Sequence, residues 1–357
     1  MKILLSGGGT LGPVTPLLAI ADIVLEHTPD AQFVFVGTKG GPERDIVQEK
    51  GIPFYSITSG KLRRYFSLLN FIDLFKFLKG FLDSIKIIWL EKPDLCISAG
   101  GYNSVPLHIV SWFFGIPTWI HQQDLRVGLS NKIMAPFSKC ITVALQENVK
   151  KFSNRKTILL GNPVRQDILN GDKSLARKRF GLKNNMPVVF CMGGGTGSQR
   201  INEIILQALP HLQDSVQIVH VVGKDRGVQI AKKASTIYKN YHPYALFTSE
   251  MKDAYAVSDI IISRGGFGSL TEIAAVKKPA IIIPKSGHQV ENVAFLAERK
   301  AVLLCNEDAL DGNILSGRIK NLLLSPDEGK RMVENLEKNF RIANTFEVEL
   351  IVNRLTR

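Results

Sequence analysis

The stretch Lys2-Ile3-Leu4-Leu5-Ser6-Gly7-Gly8-Gly9-Thr10-Leu11-Gly12 runs from a short apolar strand into a glycine turn that opens a helical segment. Half a chain later the same sentence is written again as Val188-Val189-Phe190-Cys191-Met192 followed by Gly193-Gly194-Gly195-Thr196-Gly197-Ser198. A glycine turn between strand and helix leaves backbone N–H groups bare at a helix N-terminus, where the dipole favours anions. The repetition predicts two similar α/β halves and a ligand carrying phosphate or diphosphate, with a nucleotide as the first expectation.

Working outward, apolar runs of strand length recur with helical stretches between them: 33–36, 95–97, 118–120, 141–144, 158–160, 216–222, 260–262 and 280–283. Their hydrophobicity is continuous, the mark of strands covered on both faces of a parallel sheet. Gly161-Asn162-Pro163 breaks the pattern, and Pro187 restarts it. The expected division is a first domain over 1–163, a second over 164–335, and a charged helical segment over 336–357 with no strand of its own, able to cross back to the first domain.

A chain of 357 residues, 45% hydrophobic, suits about two globular domains, each with its own core. Cys96, Cys140, Cys191 and Cys305 are far apart and show no CxxC spacing, so they read as buried thiols of a reducing compartment, with no zinc site or disulfide. Ile3-Leu4-Leu5 is too short for a secretory h-region, and a cytoplasmic protein is expected. The net charge is +13, and both halves carry it: 18 basic against 12 acidic residues in 1–163, and 27 against 20 in the rest. That balance suits acidic small molecules, anionic lipid or nucleic acid alike.

Gly7-x-Gly9-x-x-Gly12 satisfies a dinucleotide fingerprint, but the next strand ends in Gly37-Thr38-Lys39, without the acidic residue that would hold a ribose. A nicotinamide enzyme is therefore disfavoured. No GxxxxGK[ST] loop supports an NTPase, and no Asp-x-Asp pair is present to hold a metal against a diphosphate. Helix dipoles and arginines would have to neutralise a sugar nucleotide, with no cofactor or metal. Ser263-Arg264-Gly265-Gly266-Phe267-Gly268-Ser269-Leu270-Thr271-Glu272 lies at the carboxyl end of another buried strand, where ligands of parallel sheets collect. Ser269-x-x-Glu272 can be read as a capping box, which alone would account for both residues. It can also be read as a diphosphate turn with a carboxylate one turn on, placed to grip ribose hydroxyls.

Residues 61–89 break the alternation, with large apolar side chains such as Tyr65, Phe66, Phe71, Phe75, Phe77, Phe81 and Trp89 among Lys61, Arg63, Arg64, Lys76, Lys79 and Lys86. So frequent a charge excludes a membrane span. The segment reads either as core helix or as a surface that dips into an anionic bilayer, since it holds more apolar residues than one buried stripe needs.

Together these motifs resemble the MurG family, the bacterial cell-wall transferases that add N-acetylglucosamine to undecaprenyl-diphosphate-linked N-acetylmuramyl pentapeptide. The resemblance covers nearly the whole chain. It rests on residues 8–12 with Pro16-Leu17-Leu18-Ala19, Gly100-Gly101-Tyr102-Asn103-Ser104-Val105-Pro106, Gly115-Ile116-Pro117, His121-Gln122-Gln123-Asp124, Gly128-Leu129-Ser130-Asn131-Lys132, Gly161-Asn162-Pro163-Val164-Arg165, 193–202, 264–272 and His288-Gln289-x-x-Asn292. It implies a GT-B fold, two Rossmann-like domains facing across a cleft, and an inverting, metal-independent enzyme of peptidoglycan synthesis on the cytoplasmic face of the membrane. The implied partners are UDP-N-acetylglucosamine, the lipid-linked muramyl pentapeptide and an anionic membrane surface met by residues 61–89, with no nucleic acid. Family roles place uracil at the backbone of Phe247-Thr248, ribose at Glu272 and diphosphate along Phe267, Gly268, Ser269, Leu270 and Thr271. Arg165, Gly195 and Gln289 complete the donor site, and Thr10, Leu11, Gly12 and Asp124 face the sugar.

Two departures touch catalysis. The family's Gly-Gly-Thr-Gly-Gly-His reads here with Leu11 and Pro13 for the second glycine pair's first member and the histidine, and its His-Glu-Gln-Asn reads His121-Gln122-Gln123-Asp124. An inverting transfer needs the acceptor hydroxyl deprotonated as it attacks, so Asp124 and His121 become the candidate bases. Three other readings stay open: a catalytically silent relative that binds sugar nucleotide or lipid, favoured by the missing titratable groups; a GT-B enzyme with a different acceptor, which the altered loop allows; and a nonhydrolysing epimerase of the same fold, which would need no membrane surface.

Overall fold

Continuous apolar runs need cover on both faces, and the chain supplies it by winding helices around two parallel sheets. The computed structural model describes all residues except 59–68, 195–196 and 225–226, with the backbone alone for 69–74. Strands β1 (Lys2–Ser6), β2 (Gln32–Thr38), β3 (Phe54–Ile57), β4 (Leu95–Ser98), β5 (Thr118–Gln122), β6 (Cys140–Val143) and β7 (Thr157–Leu159) form one sheet in the order β3-β2-β1-β4-β5-β6-β7. Strands β8 (Val188–Met192), β9 (Gln217–Val221), β10 (Tyr241–Tyr244), β11 (Ile260–Ser263), β12 (Ala280–Ile282) and β13 (Leu303–Leu304) form the other, ordered β10-β9-β8-β11-β12-β13. In each sheet the strand order reverses beside the first strand, between β1 and β4 and between β8 and β11, where a doubly wound sheet opens its ligand crevice. Both glycine turns leave the sheet at these switch points.

The first half carries helices α1 (Val14–His27), α2 (Glu43–Glu49), α3 (Leu69–Glu91), α4 (Ser104–Phe113), α5 (Leu129–Met134) and α6 (Gln146–Val149). The second carries α7 (Lys173–Arg179), α8 (Gln199–Leu212), α9 (Val228–Ile237), α10 (Met251–Val257), α11 (Phe267–Val276), α12 (His288–Glu298), α13 (Gly312–Leu324) and α14 (Pro326–Asn339); α15 (Thr345–Thr356) ends the chain.

The strands that periodicity did not reveal, β3, β10 and β13, are all edge strands, and β10 contains Pro243. An edge strand needs neither two covered faces nor a full set of N–H donors, so its sequence escapes the apolar-run signature.

Two compact units result: Met1–Arg165 with Arg341–Arg357, and Gln166–Phe340. The chain's last stretch joins the first unit through a parallel bridge, with Asn162 N donating to Arg341 O (2.9 Å) and Ala343 N to Asn162 O (3.0 Å). Gly161 makes this approach possible: its φ is +84°, and a Cβ there would stand 2.6 Å from Arg341 O. Helix α15 then packs on α1 and adds Val348, Ile351, Val352 and Leu355 to the core of Leu5, Leu17, Ile20 and Phe35.

Candidate functional site

In the second unit the adjacent strands β8, β11 and β12 release their turns at one sheet edge. Arg264 ties these turns together: its guanidinium donates to Ser198 Oγ (2.6 Å) and Ile283 O (3.1 Å) and pairs with Glu307. Gly265 lets the start of α12 close onto the β11 turn, since a Cβ there would lie 3.2 Å from both Gln289 O and Pro284 Cβ and would overlap Val293. Gln289 is partly exposed, and its Oε1 accepts from Lys285 N (3.0 Å).

Of the two readings of Ser269 and Glu272, the capping box does not form. The chain leaves β11 through two glycines and turns helical at Phe267, with Gly266 at the N-cap and no capping side chain, so Ser269 and Glu272 already lie inside α11. The Glu272 carboxylate, nearly buried, accepts instead from Tyr255 Oη (2.8 Å). Phe267, Leu270 and Thr271 are buried and Gly268 and Ser269 half-buried. Tyr255 meets Phe190 edge to face (5.3 Å), and Phe190 stacks on Phe247 (6.3 Å), which also stacks on Phe180 (5.3 Å). An aromatic row thus links Glu272 to the backbone at 247–248, where Thr248 is exposed and its N–H donates to Glu250 Oε2 (3.1 Å). Backbone N–H groups of Glu250 and Thr248 hold the Glu250 carboxyl below its ordinary range. Arg165, half-buried, closes the first stretch of the first unit, and Gly195 lies outside the described residues.

In the first unit the turns after β1, β4 and β5 converge. A Cβ on Gly101 would stand 3.0 Å from Gly8 O, and one on Gly12 would lie 3.7 Å from Gln123 Nε2. The turn of Thr10 (exposed), Leu11 and Gly12 (half-buried) therefore adjoins the loop that carries Asp124. Asp124 is half-buried, and its carbonyl accepts from Gln122 Nε2 (2.7 Å) and Asn148 Nδ2 (2.8 Å). Gln122 Nε2 also reaches Arg126 O (3.3 Å), while Gln122 Oε1 accepts from Asn131 Nδ2 (2.8 Å). Only an amide can donate and accept in this way, so Gln122 is the strut of the loop.

His121 does not fit the role of base. It is fully buried, with Nδ1 2.9 Å from Thr142 Oγ1 and Nε2 2.8 Å from Asn162 Oδ1, and burial pushes its pKa down to about 4. Both ring nitrogens are engaged within the fold, leaving Asp124 as the titratable candidate.

Sequence reasoning missed Glu43. It looked for an acidic residue at the end of β2, whereas the first residue of α2 folds back so that Glu43 Oε1 accepts from Thr38 N (2.7 Å) and Thr38 Oγ1 (2.6 Å). The carboxylate is fully buried and turned to the chain itself, not to a ribose.

Helix α3 settles neither reading of residues 61–89 alone, because it has two apolar faces; residues 61–68 of that stretch lie outside the described ones. Phe77, Phe81, Ser84, Ile87 and Ile88 point inward, and α3 packs on α4 where Gly80 faces Pro106. Phe75, Leu78, Leu82, Ile85 and Trp89 form a second stripe at three- and four-residue spacing, with Phe75 and Trp89 72% and 73% exposed. Lys76, Lys79 and Lys86 are exposed on the same helix, and α4 ends in the exposed Trp112, Phe113 and Phe114. Among the described residues no helix is long and apolar enough to cross a membrane, and no His, Cys, Asp and Glu side chains cluster to hold a metal ion.

Two Rossmann-like units, each with a glycine turn at its switch point, define an α/β fold of the GT-B class, and the comparisons make it a glycosyltransferase. Residues 3–143 match the glycosyltransferase family 28 N-terminal domain and residues 188–347 the family 28 C-terminal domain. The chain is 36% identical over 326 residues to the UDP-N-acetylglucosamine--N-acetylmuramyl-(pentapeptide) pyrophosphoryl-undecaprenol N-acetylglucosamine transferase of Clostridium perfringens, covering 90% of each chain. Among solved structures, Acinetobacter baumannii MurG superposes with a TM-score of 0.72 at 23% identity, covering 99% of both chains. A UDP-GlcNAc 2-epimerase of Neisseria meningitidis superposes at 0.67 and 16% identity, again over 99% of both, a likeness of fold. The chain belongs to the MurG family of N-acetylglucosamine transferases.

Burial sets a pH dependence of stability. His108, His121 and His220 are pushed from 6.5 down to about 3, about 4 and about 3, so the unfolded chain takes up these protons before the folded one does. Stability therefore falls as pH drops below 6.5 towards 4, by about 1 kcal/mol per pH unit for each histidine. Urea unfolding at pH 7, 6 and 5 should show this slope, and His121→Gln should remove its own share; an unchanged slope would place the imidazole in contact with solvent.

Proposed function

We propose that this protein transfers N-acetylglucosamine from UDP-N-acetylglucosamine to undecaprenyl-diphosphate-linked N-acetylmuramyl pentapeptide, the lipid I to lipid II step of peptidoglycan synthesis, at the cytoplasmic face of the membrane. The observation that carries the reading is Glu272, held by Tyr255 one turn behind the start of an α11 that no side chain caps. A carboxylate there suits ribose hydroxyls, and the bare N–H groups at 267–269 suit a diphosphate. Arg165, Gly195, Gln289 and the backbone at Thr248 complete the donor site; Thr10, Leu11 and Gly12 face the sugar.

In the reaction the acceptor hydroxyl oxygen attacks the anomeric carbon while the bond from that carbon to the UDP oxygen breaks. The hydroxyl proton passes to the Asp124 carboxylate, and UDP leaves with the bonding pair, its growing charge met by the helix N-terminus. Labelled donor incubated with lipid-linked muramyl pentapeptide should yield labelled lipid. Protein that binds both and transfers nothing would instead be a silent relative.

The exposed stripe of α3 with its lysines is the proposed membrane surface, extended by Trp112, Phe113 and Phe114. Apolar side chains supply insertion and basic ones attraction to anionic headgroups. An epimerase acting on a free sugar nucleotide would have no use for such a face.

Three measurements test these assignments. Asp124→Asn should lower turnover by about 10²-fold or more for a lost base while donor affinity changes little; unchanged turnover removes Asp124 from the mechanism. Glu272→Gln keeps an acceptor for Tyr255 and so should fold normally, yet weaken UDP binding by about 10-fold, the worth of a hydrogen bond to a charged group. Equal UDP affinity in calorimetry would reduce Glu272 to a partner of Tyr255. Replacing Phe75, Leu82 and Trp89 by serine together with Lys79 by glutamate should release the protein from vesicles containing anionic phospholipid at an unchanged melting temperature; early melting would mean that the stripe is interior.

A further inference from the structure

Glu43 is a buried carboxylate that no step above employs. Its Oε1 accepts from Thr38 N and Thr38 Oγ1 and faces Gly9 N at 3.5 Å, while Oε2 is buried with no hydrogen-bond partner among the described residues. The chain clears room for it with glycine. A Cβ on Gly8 would stand 2.5 Å from Oε1, one on Gly37 3.0 Å from Glu43 Cγ, and one on Gly41 would overlap the carboxylate. Burying a carboxylate costs several kcal/mol unless donors and dipoles offset it, and here the Thr38 and Gly9 N–H groups and the first turn of α2 do so.

The other side of the same turn is closed by Tyr102, whose ring would lie 3.1 Å from a Cβ on Gly9. Burial, and then the charge of Glu43, push the Tyr102 phenol above its ordinary pKa. Gly9, at φ +82°, is thus gripped from two sides immediately before Thr10, Leu11 and Gly12.

We infer that Glu43 is a positioning residue that holds the Gly8-Gly9 backbone from below and so sets where residues 10–12 stand against the sugar. The inference rests on the proposed reading that residues 10–12 face the substrate. A carboxylate serves better than a neutral acceptor because charge-assisted hydrogen bonds are roughly twice as strong as neutral ones. Misplacing a substrate-facing turn by an ångström can cost about 10²-fold in rate.

The test uses the full chain with labelled donor and lipid-linked acceptor. Glu43→Ala should reduce turnover, or raise the acceptor KM, by about 10-fold or more, with UDP affinity within a factor of about two because the donor turns belong to the other unit. Glu43→Asp, which keeps the charge but draws it back by one methylene, should lose activity in the same way and decides the matter if the alanine variant does not fold. Glu43→Gln, still able to accept at Oε1, should recover to within about 3-fold of the unmutated protein. Folded Glu43→Ala or Glu43→Asp protein with unmodified turnover and acceptor KM would overturn the inference, as would a lower melting temperature with unchanged activity per folded molecule. Leu11→Asp separates the two levels: if it too is fully active, the reading of the 10–12 turn fails; if it is impaired while folded Glu43→Ala and Glu43→Asp are normal, the positioning role alone fails.

Discussion

Backbone lying directly against backbone at the carboxyl ends of the strands is the constraint on which both units depend. The turns after β1, β4, β8 and β11 have to cross within van der Waals contact of their neighbours so that the next helix can start at the sheet edge. Gly101 against the Gly8 carbonyl, Gly197 against the Val222 carbonyl and Gly265 against the start of α12 are places where any side chain would force the turns apart. The same closeness that packs the fold leaves N–H groups facing outward at the switch points, so architecture and anion affinity have one origin.

How far the chain could be read from its letters follows from where each residue finds its partner. Central strands declared themselves because burial on both faces writes a continuous apolar run, and the glycine turns because their spacing is local. Edge strands such as Tyr241–Tyr244, carrying a proline, wrote no such run. Ser269-x-x-Glu272 carries two readings because a local pattern does not say whether the partner is local; Glu272 accepts from Tyr255, on a different helix. Glu43 was invisible for the same reason, since Gly9 lies 34 residues earlier and only the β1–β2 pairing brings them together.

The polar interior of the first unit divides labour between residues that hold and residues able to react. Gln122 and Asn131 bond to each other, Gln122 and Asn148 donate to the loop carbonyls, and His121 is tied to Thr142 and Asn162, which fixes the Asp124 backbone while the residue stays half-buried. A glutamine at position 122 is then a structural choice, because a carboxylate could not donate to two carbonyl oxygens. Helix α3 shows a comparable division on a larger scale, with one stripe spent on the core and a second left at the surface.

The bridge at Asn162 and the docking of α15 on α1 make the first unit discontinuous in sequence, with the whole of Gln166–Phe340 inserted before its last helix. During synthesis the inserted unit is complete first, whereas the amino-terminal one lacks Val348, Ile351, Val352 and Leu355 until the whole of 166–340 has been made. The part of α1 that α15 covers must therefore wait for residues made more than three hundred positions later, so the apolar surface left open longest during synthesis lies on the oldest segment of the chain rather than its newest.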